Sequence, residues 1–185
     1  MARIPPLPAK EWDDELRVIL ERKPAPAQVA LGEHNIFSTL ARHKQLFKVW
    51  MRFAGYLLGQ GTLSARTREL LILRTGYNCG SDYEWGQHVR IALAIGMQRE
   101  EIERVAQGPE ASAWSEQERT LLRAADELHH DSKISAETWT RLAASFDEQG
   151  LIEIAMLVGN YHLVAFTLNS LEVELDQGLE RLPGG

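Results

Sequence analysis

The chain has 185 residues, a net charge of −6 at pH 7, 44% hydrophobic residues and 25% charged residues. That length supports one domain with a real core, and the composition is that of a soluble globular protein. The acidic balance and the lack of any Lys/Arg cluster argue against a nucleic-acid surface, and one cysteine, Cys79, excludes both an intramolecular disulfide and a CxxC redox pair.

The first residues, MARIPPLPAK, carry neither the apolar core nor the cleavage site of an export signal, so a cytoplasmic, reducing location is expected. After this Pro-rich arm a short helix is expected at 11–21, broken by KPAPAQ because proline removes a donor and fixes φ. Residues 37–58 read as helix, continuous or split near Arg42-His43-Lys44, and Gly59-Gln60-Gly61 ends it. Ser64 is a good N-cap for the stretch ARTRELLILRTGYN. A tight turn at Cys79-Gly80 leads into DYEWGQHVRIALAIG, closed by Gly96. A short polar helix at 98–106 stops at Gly108-Pro109. The pattern Ser115-Glu116-Gln117-Glu118 is a capping box opening a helix to about residue 130, and Ser135 caps another through Phe146.

Gln149-Gly150 then leads into 151–170, which is apolar around its circumference. It is long enough for a membrane span, but Glu153, Asn160, His162 and Asn169 are costly in lipid. A central helix or an oligomer-interface helix is the expectation. No period-two strand signal and no internal repeat occurs. The chain reads as all-α, a single-domain bundle of about seven or eight helices. It divides into an N-terminal extension (1–40), a helical domain (41–176) and a polar tail (177–185).

The residues that carry chemistry cluster on the hairpin around Cys79-Gly80. The turn lies midway between Glu69 and His88, so antiparallel helices with axes about 8–10 Å apart bring these two to one level. Glu84 and His88 are i and i+4 on one helix face. Glu69 has Ala65, Ile72, Leu73 and Gly76 as face neighbours and is expected to point inward, either as an ion-pair partner of Arg66 or Arg90 or as a proton donor or relay. His88 is a core histidine or an acid–base group. Glu84 is an i,i+4 helix partner or a site residue that orients His88 or meets substrate, and Ser81 is a helix cap or a site hydroxyl. Tyr77 and Trp85 are pocket wall or core, and so is His162. Cys79 reads as a small buried thiol, and His129-His130 as cations at a helix C-terminus. No HExxH or Cys/His spacing and no Gly-rich phosphate loop is present, so neither a metal nor a cofactor is expected, although the carboxylate–imidazole set is compatible with a divalent ion.

The spacing Glu69-x11-Ser81-x2-Glu84-x3-His88, within RTRELLILRTGYNCGSDYEWGQHVRIALAIGM, resembles the carboxymuconolactone decarboxylase family, which includes the alkylhydroperoxidase D-like proteins. The peroxidase branch reads E-x11-C-x2-C-x3-H; here Ser81 and Glu84 stand at the two cysteine positions, so the chain is similar to the branch without CxxC. The resemblance implies an all-α alkylhydroperoxidase D-like fold, a trimer or hexamer, and a cofactor-free carboxy-lyase acting on a small, acidic, unsaturated lactone. Glu69, Glu84 and His88 would be its catalytic residues. Ser81, Trp85, Tyr77, His162 and one of Arg66, Arg74 or Arg90 would meet the substrate. Two alternatives stand beside it: a peroxidase, disfavoured by the missing cysteines, and a non-catalytic oligomeric small-ligand binder.

Overall fold

The computed structural model describes residues 1–23 and 29–184. The expected break at KPAPAQ falls largely on residues 24–28, outside the described residues. Every regular element among the described residues is helical, as the sequence pattern implies. In chain order these are α1 (Asp14–Leu20), α2 (Asn35–Leu40), α3 (Lys44–Gly59), α4 (Ala65–Asn78), α5 (Asp82–Ala94), α6 (Arg99–Gln107), α7 (Glu116–Asp131), α8 (Ala136–Ala143) and α9 (Glu148–Leu171). The split expected near residue 42 is a 3₁₀ turn, Ala41–His43, which separates α2 from α3.

Local chemistry explains where helices begin. The side chains of Asp13, Ser64, Ser135 and Asp147 each accept a hydrogen bond from a backbone N–H in the first turn, and Ser115 and Glu118 close a reciprocal capping box. Asp147 moves the start of α9 three residues ahead of the apolar run. Gly80 at φ +59° makes the turn between α4 and α5, a conformation that costs a residue without Cβ little.

The helix at the centre is α4. Leu70, Leu71, Ile72 and Leu73, four consecutive residues, are all buried. Leu71 and Ile72 pack against α7 and α9 through Leu121, Ala124, Ile154 and Leu157. Leu70 and Leu73 face α5 and α6 through Trp85, Val89, Ile102 and Val105. At about 1.5–3 kcal/mol per fully buried aliphatic side chain, this run is a major stabilising element.

Helix α9 contributes core on one side only. By length and composition it is apolar enough to cross a membrane, and 56% of its apolar window is buried inside the fold. Its outer face leaves Ile152, Met156, Leu163 and Phe166 exposed, the last at 59%. Its one core acid, Glu153, is buried because it accepts from the backbone N–H groups of Thr62 (2.7 Å) and Leu63 (3.2 Å), ordering the entry to α4.

Both chain ends are built into the fold. The N-terminal extension packs Leu16 and Leu20 against Ala41 and Phe47. The tail, expected as merely polar, runs back along α5: Arg181 bonds Asp82 at 2.6 Å, and Gly86 is so close to the Glu180 carbonyl that a Cβ there would lie 2.6 Å from it. Asp176 ties the two ends together. Its carboxylate accepts from His34 Nδ1 (2.8 Å), the Tyr83 hydroxyl (2.8 Å) and the Asn35 N–H (2.9 Å).

Burial pushes the Asp176 carboxyl up, but the bonds from His34, Asn35 and Tyr83 outweigh it and hold the group below its ordinary value. Asp176→Ala is therefore expected to cost about 2–4 kcal/mol in urea denaturation at neutral pH. Because the folded value is depressed, that stabilisation is present above the unfolded carboxylate range, about pH 4, and is lost as pH falls through the folded value. Wild type and variant should thus converge in acid.

Candidate active site

The α4–α5 hairpin brings together the residues that its spacing singles out. Glu69 on α4 and His88 on α5 are buried, and His88 Nδ1 lies 2.7 Å from Glu69 Oε2. With Glu69 ionised, the proton of this bond sits on Nδ1, which leaves Nε2 as the ring atom available to a reacting group. The Tyr161 ring of α9 meets the His88 ring edge-on, with centroids 4.9 Å apart and planes at 89°. The imidazole is thus fixed by a carboxylate on one side and an aromatic ring on another. The helix-mate Glu84, expected to orient His88, makes no hydrogen bond to it; Glu69 on the neighbouring helix takes that place.

Glu84 has a different environment. It is 2% exposed, and neither carboxyl oxygen has a hydrogen-bond partner. It lies against Gly76 of α4, where an added Cβ would come within 3.2 Å of Oε1. A side chain at 76 would push Glu84 away, so the glycine is what lets the carboxyl enter the helix interface. Burial alone raises its pKa well above the ordinary carboxylate value, keeping it protonated.

Ser81 occupies the N-cap position of α5, but its side chain makes no cap bond. Its Oγ is fully buried and also lacks a partner. Buried polar atoms without partners are rare and mark strained, hydrated or functional positions. Here they come from two residues in the first turn of one helix.

Two residues join this group that the spacing did not identify. Burial, and then the adjacent Glu69 and Glu84, push the Tyr161 phenol well above its ordinary value, while Arg68 acts in the opposite direction. Tyr161 therefore lies near both acids, and Arg68 is close enough to act on the same phenol. Arg68 donates one bond to the Leu63 carbonyl (2.6 Å), and its Nε is buried without a partner. Tyr161 was visible only as an aromatic in an apolar helix, and Arg68 only as one of three arginines within nine residues.

The other expected substrate contacts lie elsewhere. Arg66 is held by Glu118 (2.6 Å) and Glu101 (2.5 Å). Arg74 is held by Asp126 (2.6 Å) and by the Val105 and Ala106 carbonyls. Arg90 is exposed. Tyr77 and Trp85 line a cleft of about 500 Å³ with Arg99, Ile102 and Glu180, which does not include Glu69, Glu84 or His88. Trp85 follows Glu84 by one residue, roughly 100° around the helix, and so faces α6 instead.

His162 also belongs elsewhere. Its Nε2 lies 3.0 Å from His129 Nδ1, which lies 3.8 Å from Cys79 Sγ. The sequence contains no Cys/His spacing, yet three helix positions assemble such a cluster. Burial, and secondarily Glu84, push the Cys79 thiol up to about 12, away from a reactive thiolate. The His129 imidazole is lowered by burial and by His162 and His130, so it is not the helix-end cation expected from its position.

Residues 44–127 match the carboxymuconolactone decarboxylase family. No curated protein matches the chain. Among solved structures the chain is similar to an uncharacterized peroxidase-related protein from Silicibacter sp. TM1040, at 16% identity and TM-score 0.81, covering 94% of this chain and 91% of that one. It is similar to the debrominase Bmp8 at 14% identity and TM-score 0.79, covering 94% and 92%. It is also similar to a protein of unknown function from Agrobacterium tumefaciens, provisionally assigned to antioxidant defence as AhpD, at 20% identity and TM-score 0.69, covering 73% and 94%. At these identities the likeness establishes the alkylhydroperoxidase D-like fold.

The neutral state of Glu84 has a measurable consequence. A carboxyl whose folded pKa lies above its unfolded value keeps a proton that the unfolded chain has lost. Stability therefore falls as pH rises from the unfolded value, about 4.3, toward the folded one, by at most about 1.4 kcal/mol per pH unit. Glu84→Gln removes this slope. Urea denaturation should find the variant gaining on wild type between pH 5 and pH 8.

Proposed function

Since residues 44–127 match the carboxymuconolactone decarboxylase family, we propose that the protein is a cofactor-free carboxy-lyase-like enzyme acting on a small, unsaturated, carboxylated lactone or related acid. The observation that carries this reading is Glu84: a buried carboxyl whose oxygens are committed to no other group and whose burial favours the protonated form, on the same helix as a histidine fixed by a second carboxylate.

The reaction needs few parts. When the carboxylate of γ-carboxymuconolactone leaves as CO2, its bonding electrons enter the conjugated lactone carbonyl. The resulting dienolate takes one proton on carbon to give the enol-lactone. Glu84 supplies that proton and recovers it from solvent. His88, as an imidazolium paired with Glu69, donates from Nε2 to the carbonyl oxygen where negative charge develops. Ser81 Oγ is a second donor. Arg68 Nε, buried and unpaired, binds the substrate's remaining carboxylate. Glu84 thus takes the proton donor's part, and His88, held by Glu69 at Nδ1, serves the carbonyl oxygen.

Turnover of γ-carboxymuconolactone, followed by loss of ultraviolet absorbance and release of CO2, is the test. Glu84→Gln and His88→Ala should each lower kcat by about 10²–10⁴. Arg68→Met should act mainly on KM. Full turnover in both Glu84→Gln and His88→Ala would sink the assignment. The peroxidase reading is weakened by Ser81 and Glu84 at the cysteine positions and by the raised Cys79 thiol. Thiol-dependent hydroperoxide turnover that disappears in Cys79→Ser would restore it. If acidic metabolites bind without turnover, the ligand-binding reading replaces both.

The enzyme is further proposed to act as a cytoplasmic homo-oligomer, a trimer or hexamer. The exposed stripe Ile152, Met156, Leu163 and Phe166 on α9 supports this, as does Leu46, Val49, Phe53 and Tyr56 on α3. Light scattering should give a mass of three or six chains, and Met156→Glu with Phe166→Glu should shift it toward the monomer. A monomeric wild type would overturn the assembly.

A further inference from the structure

We propose that Cys79, His129 and His162 form a binding site for a borderline-soft divalent transition metal, with zinc the best match. The three residues come from the C-terminal cap of α4, the last turn of α7 and the middle of α9. Their ligand atoms all lie within 4.8 Å of one another.

The distances suit one shared ion. Zinc bonds of about 2.0–2.1 Å to nitrogen and 2.3 Å to sulfur in a tetrahedron separate two nitrogens by about 3.3 Å, and a nitrogen from a sulfur by about 3.6 Å. The observed separations are 3.0 Å from His129 Nδ1 to His162 Nε2 and 3.8 Å from His129 Nδ1 to Cys79 Sγ. Shifts of a few tenths of an ångström bring these two pairs to the zinc geometry, and the third pair, Cys79 with His162, lies within 4.8 Å and closes on the ion with them.

Hydrogen bonding sets the donor atoms. His162 Nδ1 lies 2.9 Å from the Val158 carbonyl oxygen, which only accepts, so Nδ1 carries the proton. Its Nε2 therefore presents a lone pair to the cluster. A metal-bound histidine characteristically gives its other ring N–H to a carbonyl or carboxylate in this way. Without metal, His129 Nδ1–H donates to that lone pair. With metal, His129 carries its proton on Nε2, Cys79 releases its thiol proton to solvent, and all three atoms offer lone pairs to the ion.

The surrounding bonds hold the three elements in register. Asn169 Nδ2 of α9 donates to the Cys79 carbonyl at 2.9 Å, and Asn78 Nδ2 donates to Asp126 of α7 at 2.8 Å. The site is therefore built on packed helices, the precise kind of support for a metal centre. One thiolate and two imidazoles favour zinc or copper over magnesium or calcium, which take oxygen ligands. All three residues are only partly buried, so a fourth position faces solvent and can take water or a small ligand. This cluster is separate from Glu69, Glu84 and His88, and the inference does not rest on the proposed reaction.

Equilibrium dialysis of the purified chain against zinc, followed by elemental analysis, should find one ion per chain. Cobalt(II) should give intense four-coordinate d–d bands and a thiolate-to-metal charge-transfer band. Cys79→Ser should abolish the charge-transfer band, and His129→Gln and His162→Gln should each weaken binding at least about tenfold. His88→Gln should leave the stoichiometry at one. Zinc should also slow alkylation of Cys79 in the wild-type protein, a readout that needs no variant to fold. Equal alkylation rates with and without zinc, or a cobalt spectrum without the thiolate band, would overturn the site.

Discussion

The bond between Glu69 and His88 is the constraint around which the hairpin is organised. Helix α4 is buried on several sides, so a carboxylate in its middle must be paired or be neutral. His88 answers from the adjacent helix at 2.7 Å. Breaking such a pair by removing one partner typically costs several kcal/mol, because the other charge is left in the core. The pair thus fixes how α5 sits on α4, and with it the level at which Glu84 and Ser81 enter the interior. Gly76 completes the arrangement by leaving room for Glu84, whose Oε1 a Cβ there would crowd at 3.2 Å.

The two glutamates show how environment divides roles between identical side chains. Glu69 has a partner that compensates its charge. Glu84 has none, and burial keeps it protonated. Two titratable groups in different environments are a recurrent basis for acid–base chemistry near neutral pH. Tyr161 lies close enough to both for their charges to act on its phenol, and Arg68 provides a nearby positive charge.

Much of this was legible from residue order. The caps at Ser64, Ser115 and Ser135 are local signals and each opens a helix where expected. The meeting of Glu69 with His88 follows from hairpin geometry, because the Cys79-Gly80 turn lies roughly midway between them. What failed was long-range. Which arginine is free depends on acids more than thirty positions away: Glu101 and Glu118 for Arg66, and Asp126 for Arg74. Trp85 and Tyr77 read as pocket wall or core, and they line a cleft apart from Glu84 because consecutive helical positions such as 84 and 85 point to different faces. The tail looked solvated because its apolar residues are sparse. It docks through ion pairs and backbone contacts on Asp82 and Gly86, which no periodicity records.

Adjacent residues on α9 serve two different clusters. Tyr161 packs on His88 of the hairpin and His162 faces Cys79 and His129. A single helix thus closes one side of each cluster, and Cys79 lies close enough to Glu84 for the carboxyl to act on its thiol. A positive ion held by Cys79, His129 and His162 would favour ionised Glu84 and so oppose the burial that keeps it neutral. The two clusters are separate in their ligands but coupled in their electrostatics.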